Sequence, residues 1–433
     1  MGSPTRHVKR RSPAPIRRVS FFATLTCSAG MMLTSSAAST SISYQTAGTL
    51  QWKPRVSAFT AIPAPTTPQT KKNKPTKEGV RIYPVQSAQV GFVDRVETIT
   101  QGSVSVTIGY DAAGRRTSLT YSNGTSTNYT YDASGRLTQL VHQGPGGVIE
   151  SLTYSHDAAG NPISVTRSNG STTVLPDALH AEYNAANQQI TFNSGTENLK
   201  YDAKGNLIQD LSTNTTYTWD ARNHLVAISG PGLTASFRYD GVGRRVSKTI
   251  NGVTTDYLYT GHSIFQEIQG GSVVATYLRH PKFPDDVFVR VTPSGNEYLH
   301  ADALGSTLAL TDDSGAIKTR YSYSPYGATT VTGAPSANPF QYTGRENDGT
   351  GLYYYRARYY SPKLHRFISE DPIRFGLNLY KYVGNNPLRW TDPFGLRPGD
   401  PYSTRAAAAR DALAEVRGQT LVTGHEHGGV IYQ

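Results

Sequence analysis

Three scarcities frame this 433-residue chain. It has a single cysteine, Cys27, so no disulfide can form within it. No stretch reaches the roughly 18 consecutive apolar residues of a membrane-spanning helix. Acid is missing from the start: residues 1–77 hold 12 Lys and Arg and no Asp or Glu, the first being Glu78. The formal charge of +11 therefore belongs to the N-terminus, because the other 30 basic residues face all 31 acids for a net of −1. A nucleic-acid-binding body would carry its basic patch on the folded part, and this balance excludes one there. Large apolar residues are also sparse, with 13 Phe, 3 Trp and 3 Met, whereas Tyr reaches 28 and Gly 41. Tyr and Thr suit strands, and Gly with Asn and Asp suits turns, so the composition points to an all-β, turn-rich protein.

The acid-free start reads as an export leader over residues 1–39. Arg6, Lys9, Arg10, Arg11, Arg17 and Arg18 form a basic region, Val19 to Leu33 is apolar though diluted by Ser and Thr, and Ala37-Ala38-Ser39 supplies small residues for cleavage. The alternative is a disordered basic leader. Residues 40–90, with Pro63, Pro65, Pro68, Pro75 and the Lys71-Lys72-Asn73-Lys74 cluster, show no apolar period and read as a linker.

A short repeat begins near residue 95. Tyr110-Asp111-Ala112-Ala113-Gly114-Arg115 returns as Tyr131-Asp132-Ala133-Ser134-Gly135-Arg136, Tyr201-Asp202-Ala203-Lys204-Gly205-Asn206 and Tyr239-Asp240-Gly241-Val242-Gly243-Arg244, with weaker copies between. Side chains alternate before each Asp, as in Asn128-Tyr129-Thr130-Tyr131, which predicts a strand. Asp-x-x-Gly then makes a tight turn: the carboxylate caps backbone N–H groups and Gly takes the left-handed conformation. Each unit is about one β-hairpin, too small to fold alone, and stacked hairpins make a sheet that must curl. Tyr suits its inner side, packing broadly while tolerating water at the hydroxyl.

These units resemble the YD repeats of the RHS/YD family, which the resemblance implies build a β-hairpin ribbon spiralling into a hollow shell. The run of YD repeats over 91–297 is short for that family, implying an incomplete or partner-closed shell. From residue 298 to 396 the motifs resemble the family's RHS repeat-associated core: Tyr298-Leu299-His300-Ala301-Asp302, Tyr321-Ser322-Tyr323-Ser324-Pro325-Tyr326-Gly327, Phe340-Gln341-Tyr342-Thr343-Gly344-Arg345, Gly351-Leu352-Tyr353-Tyr354-Tyr355-Arg356-Ala357-Arg358, Arg366-Phe367-Ile368-Ser369-Glu370-Asp371-Pro372 and Asp392-Pro393-Phe394-Gly395-Leu396.

Pro387, four intervening residues, and Asp392-Pro393-Phe394-Gly395-Leu396 resemble the family's autoproteolysis signature, with Pro387, Pro393 and Gly395 as its marker positions. The resemblance implies a cut between Leu396 and Arg397 that frees a C-terminal polypeptide inside the shell. The implied chemistry pairs two carboxylates that share a proton, one activating water and the other protonating the amide. Asp371 and Asp392 match the acidic positions, with Arg358, Arg366 or Arg356 to orient a carboxylate or stabilise the oxyanion. On residue type alone both aspartates read as turn caps. Ser361, His365 and Glu370 depart from the family pattern, which elsewhere has Asp, Gly and Pro there; neither Asp371 nor Asp392 is lost.

The tail, 397–433, holds an Ala-rich helical stretch from Ala406 to Leu413 and His425-Glu426-His427, read as a solvated loop rather than a metal site. No cofactor is implied. Three functions remain open for a protein expected to be secreted or at the cell surface: an exported carrier that encloses and frees its own tail, with an immunity protein or secretion apparatus as partner; a cell-surface structural or adhesive repeat protein binding glycans or a partner; and a degenerate RHS fragment. Protein recovered outside the producing cell should have lost about its first 40 residues; N-terminal sequencing that begins at Met1 would contradict the leader.

Overall fold

The computed structural model describes residues 95–168, 180–281 and 283–399, together with the backbone of two short strands, Thr49–Gln51 and Ser87–Val90. The chain divides into two units, Met1–Gly48 and Thr49–Gln433, and every described residue belongs to the second. The expectations for the leader, most of the linker, His425, His427 and the body of the tail lie outside the described residues.

The regular secondary structure of the described residues is almost entirely antiparallel β, as the alternation predicts. Nine strands from Thr49–Gln51 to Pro162–Arg167 form one sheet, fourteen from Leu199–Tyr201 to Thr329–Gly333 form a second, and four from Glu346–Asn347 to Arg366–Phe367 form a third. Each strand pairs with its neighbours in sequence, and the linear order leaves every sheet open at its edges. The second sheet runs without interruption across residues 297 and 298, pairing Gly295–Ala301 on both sides.

The repeat motif explains this meander residue by residue. In each Asp-x-x-Gly turn the Asp Oδ1 accepts the backbone N–H four residues on: Asp111 from Arg115 at 2.8 Å, Asp132 from Arg136 at 2.8 Å, Asp240 from Arg244 at 2.9 Å. The other oxygen takes the Nε of the same arginine, at 2.6, 2.6 and 2.7 Å. Gly114, Gly135 and Gly243 supply φ values of +81°, +81° and +82°, a region that carries a Cβ penalty for other residues.

Tyrosines that end the strand before a turn stitch one repeat to the previous one. Tyr110 donates its hydroxyl proton to the Val96 carbonyl at 2.9 Å, Tyr131 to Arg116 at 2.8 Å, Tyr239 to Leu225 at 2.8 Å and Tyr259 to Arg245 at 2.8 Å. Trp219 does the same with its indole N–H to Leu207 at 2.8 Å. For Tyr131, Trp219, Tyr239 and Tyr259 the acceptor is the first residue after the preceding turn. The register slips by one residue at each of these aromatics, as between Gly109 and Tyr110 or Arg238 and Tyr239, a bulge that aims the ring back along the ribbon. These hydroxyls, expected to tolerate water, are taken up instead by backbone carbonyls. Arginine makes the reciprocal forward stitch, Arg136 Nη1 donating to the Asp157 carbonyl at 2.9 Å and Arg244 Nη1 to Gly261 at 2.9 Å.

The first two sheets pack on each other through Ile99, Val106, Leu119 and Tyr121 on one side and Leu278, Phe288, Val289 and Tyr298 on the other, all buried. The small third sheet is anchored to the second by Arg245, fully buried, which pairs with Glu346 at 2.8 Å and with Asp348, itself held by Lys248 at 2.8 Å. Tyr342, Tyr353, Tyr355, Tyr360, Phe367 and Tyr382 form an aromatic core on one face of that third sheet.

The turn at Asp240 contains its own control. Gly243 is left-handed and a Cβ there would sit 3.3 Å from the His224 ring, whereas a Cβ on Gly241 meets nothing within 4 Å. Gly243→Ala should lower stability by about 1–2 kcal/mol, while Gly241→Ala should be neutral or slightly stabilising. Denaturant melts of the two variants check the difference.

Candidate active site

Strand pairing in the third sheet decides which residues meet. Tyr355 lies opposite Arg358, Tyr360 opposite Phe367, and Ser361 opposite Arg366. Residues directly opposite share a face and successive residues alternate. Arg358 therefore shares the aromatic face with Tyr355, Tyr360 and Phe367, its guanidinium 3.6 Å from the Phe367 ring centroid. Arg366 projects from the other face. It lies between the Tyr183 and Tyr380 rings, 5.0 Å from each centroid, and donates to the Asn187 carbonyl at 2.7 Å. Of Arg358 and Arg366, only Arg358 reaches the carboxylates.

Asp371 and Asp392 do come together, on either side of that one guanidinium. Arg358 Nη2 lies 3.5 Å from Asp392 Oδ2 and 3.6 Å from Asp371 Oδ2. The three residues are 3%, 2% and 3% exposed for Arg358, Asp392 and Asp371, so water screens none of them. Arg358 also donates Nη1 to the Leu379 carbonyl at 2.9 Å and Nε to the Gly395 carbonyl. Burial pushes the Asp392 carboxyl up to about 6 against the pull of Arg358 and of two backbone N–H groups, with Asp371 adding to the rise. Burial raises Asp371 as well, again opposed by Arg358.

The signature Asp392-Pro393-Phe394-Gly395-Leu396 is the repeat turn with one substitution. Asp392 Oδ1 accepts the N–H of Leu396, four residues on, at 2.9 Å, and Gly395 has φ +70°. In the ribbon that fourth position captures the second carboxylate oxygen with a polar side chain, as Arg136, Asn206 and His224 do. Here the residue is Leu396, so Oδ2 is left for Arg358 and Asp371. The same Oδ1 also accepts the Arg397 N–H at 3.2 Å. One carboxylate thus contacts the amides of both residues flanking the Leu396–Arg397 bond. Gly395 is required for space as well as for φ, since a Cβ would run into the Tyr355 carbonyl. Thr391 and Gly399 pair backbone to backbone at 3.2 and 2.7 Å, closing the loop around the bond. Pro387 is buried and Pro393 half-buried.

Two other carboxylates lie elsewhere. Asp348 is neutralised by Arg245 and Lys248. Asp302 is pushed up to about 6 by burial, but its carboxylate caps the turn N–H groups of Leu304 and Ser306. Among the described residues no cluster of three or more His, Cys, Asp or Glu is placed to hold a metal ion.

Sequence reasoning assigned no role to Asp285 or Arg345, which reach the same loop. Arg345 Nη1 donates to the Pro393 carbonyl at 3.1 Å, Arg356 Nη1 donates to the same oxygen, and both arginines pair with Asp285. A signal for Arg345 was present. Gln341–Arg345 is another repeat-type turn, with Gln341 N–H on the Arg345 carbonyl at 3.0 Å and Gly344 at φ +68°. Gln stands where the ribbon has Asp, which leaves the arginine without its local carboxylate.

A meander of bulged Tyr-Asp hairpins that leads into a motif-rich core defines an RHS/YD-repeat protein. A family model described as the Teneurin YD-shell matches residues 93–388, and the chain belongs to that family. Among curated proteins it is similar to the tRNA3(Ser)-specific nuclease WapA of Bacillus spizizenii, 34% identical over 235 residues, covering 50% of this chain and 10% of that protein. It is also similar to the toxin subunit YenC1 of Yersinia entomophaga, 32% identical over 231 residues, covering 46% of this chain and 24% of that one. The chain thus spans less than a quarter of the length of either relative. Among solved structures, a chain of the Tc holotoxin pore of Photorhabdus luminescens shares the fold with a TM-score of 0.54 at 22% identity, over 72% of this chain and 20% of that one.

Arg358→Met should leave two buried carboxylates without their cation and lower stability by about 3–5 kcal/mol at neutral pH. Asp392 ionises only above about 6, so the penalty is present above that pH and shrinks below it as both carboxyls take up protons. Thermal melts at pH 5 and pH 8 should show the larger drop at pH 8.

Proposed function

We propose that this chain is the shell-and-cleavage segment of an exported RHS-type toxin carrier, which encloses the polypeptide following its core and cuts it free once. The observation that carries this reading is the Asp392 carboxylate, buried, raised, and hydrogen-bonded to the amides of both Leu396 and Arg397. The toxin and toxin-subunit names of the relatives support the biological setting.

In this reading Asp371 takes a proton from water as its oxygen attacks the Leu396 carbonyl carbon. Asp392 gives its proton to the Arg397 nitrogen as the C–N bond breaks, leaving a Leu396 carboxylic acid and an Arg397 amine, between which the last proton then passes. Arg358 holds the two carboxylates in register and opposes the protonation that burial promotes. Because the substrate is the protein's own backbone, held by the fold, no bimolecular encounter is needed, and that alone can supply on the order of 7 kcal/mol of the barrier. The 37 residues from Arg397 to Gln433 leave as a separate polypeptide and stay with the shell non-covalently. An immunity protein or a secretion apparatus would then act on the complex, at the cell surface or beyond it.

Denaturing mass analysis of the purified protein tests this directly. Wild type should appear as two polypeptides divided after Leu396, and Asp371→Asn and Asp392→Asn should each remain full length with an unchanged β spectrum. An uncut wild type that binds glycans would instead favour an adhesive surface protein, and efficient cutting by Asp371→Asn would remove that residue from the mechanism. The rate of cutting, followed during refolding or synthesis, should fall as pH rises through about 6, where Asp392 loses its proton. It should fall again as the pH is lowered further and Asp371, itself raised by burial, becomes protonated. A rate that climbs steadily to pH 9 would contradict the assignment of Asp392 as the acid.

A further inference from the structure

The chain leading to the Leu396–Arg397 bond is held at three successive carbonyls. The Pro393 oxygen takes Arg345 and Arg356, the Phe394 oxygen takes the Ala357 N–H at 3.1 Å, and the Gly395 oxygen takes Arg358 Nε. Arg356, Ala357 and Arg358 all belong to one hairpin of the third sheet. Arg345 reaches the Pro393 oxygen from a separate turn.

We propose that Asp285, Arg345 and Arg356 form a positioning cluster that fixes the register of the substrate loop against the carboxylate pair. The proposal rests on the self-cleavage reading above. Asp285 Oδ1 accepts Arg356 Nη2 at 2.8 Å and also Arg345 Nη2, so one carboxylate orients two guanidiniums toward one oxygen. Without it, two cations would be packed side by side. Arg345 is 1% exposed at its side chain and Asp285 21%, so the cluster is largely shielded from screening by water.

Two features indicate that the arginines are placed for this contact rather than for the turns that hold them. Arg356 has φ +58°, a left-handed backbone that glycine adopts without the Cβ penalty. The strain is retained with a side chain that spans Asp285, Pro393 and the Phe394 ring, 5.0 Å from the guanidinium. Arg345 closes a repeat-type turn in which Gln341 replaces the usual Asp, so its charge is directed across the fold instead of back into its own turn. Both hold Pro393, the residue next to Asp392. A shift of that carbonyl moves the acid and the scissile bond together, and misplacement on the scale of 1 Å costs about a hundredfold in rate.

The test uses the full chain made by pulsed cell-free synthesis, with first-order appearance of the 37-residue fragment as the readout. Arg356→Gly removes the side chain while relaxing the backbone, so a loss of rate cannot come from added strain. We expect cutting at least about tenfold slower in Arg356→Gly and in Asp285→Asn, with the pH midpoint near that of wild type. Arg356→Lys should recover part of the rate. Cutting at the wild-type rate in both variants overturns the proposal. So does a displaced pH midpoint, which would put the cluster in the proton chemistry. A second readout is hydrogen exchange over residues 393–397 in the uncut Asp371→Asn background. Arg356→Gly should speed exchange there, and unchanged exchange would also overturn the proposal. An uncut wild type would sink the self-cleavage reading instead, and the exchange result would still report on the hold.

Discussion

One turn recurs throughout the described chain, and most of its architecture depends on the residue after the glycine of that turn. Asp-x-x-Gly fixes a carboxylate oxygen on the fourth backbone N–H and sets the glycine left-handed, at Asp111, Asp132, Asp240 and again at Asp392. In these ribbon turns the next residue is arginine, which satisfies the second oxygen locally, and Arg136 and Arg244 also lean forward onto the next repeat. In the turn that opens at Gln341 the carboxylate is missing, and Arg345 goes to Asp285 instead. At Leu396 there is no arginine, and the carboxylate looks across the fold. A structural unit becomes a chemical one through a single side chain and its burial. The same hydrogen bonds that hold Asp111 and Asp132 below the usual carboxylate range are outweighed at Asp392 by desolvation.

Charge is handled differently in the ribbon and in the core. The turn pairs Asp111–Arg115 and Asp132–Arg136 are partly exposed, and pairs of that kind contribute little stability on their own. The core instead uses three buried groupings that each share one ion between two partners: Arg245 between Glu346 and Asp348, Asp285 between Arg345 and Arg356, and Arg358 between Asp371 and Asp392. Each links segments far apart in sequence. Breaking such a grouping leaves an uncompensated buried charge, which is strongly destabilising.

The ribbon was legible because its rules are local. Alternation before Asp, the Asp cap and the Gly conformation act within a few residues, and the hairpins follow. The tyrosine stitch was not read, although the Tyr–Asp spacing was visible, because its acceptor lies 14 or 15 residues back and only the bulge reveals the direction of the ring. The meeting of Asp371 and Asp392, 21 residues apart in the chain, was legible only through family resemblance. The choice between Arg358 and Arg366 turned on strand register: both sit in short strands, and one residue of offset sends them to opposite faces. Asp285 was out of reach, since nothing near it in sequence signals a partner 60 residues on.

The tyrosine stitch also gives the ribbon a direction in time. Each aromatic reaches toward the N-terminus for a carbonyl that emerged from the ribosome earlier, so every new hairpin meets its acceptor already in place. Growth by addition at one end keeps closure distances short, which favours rapid folding. The carboxylate pair is assembled from the final stretch of this order, after Asp285 and after the sheets against which residues 346–367 pack. In the cleavage reading proposed above, the order of synthesis is itself a safeguard: the bond after Leu396 meets its carboxylates only once the ribbon that would keep hold of the severed tail has been laid down.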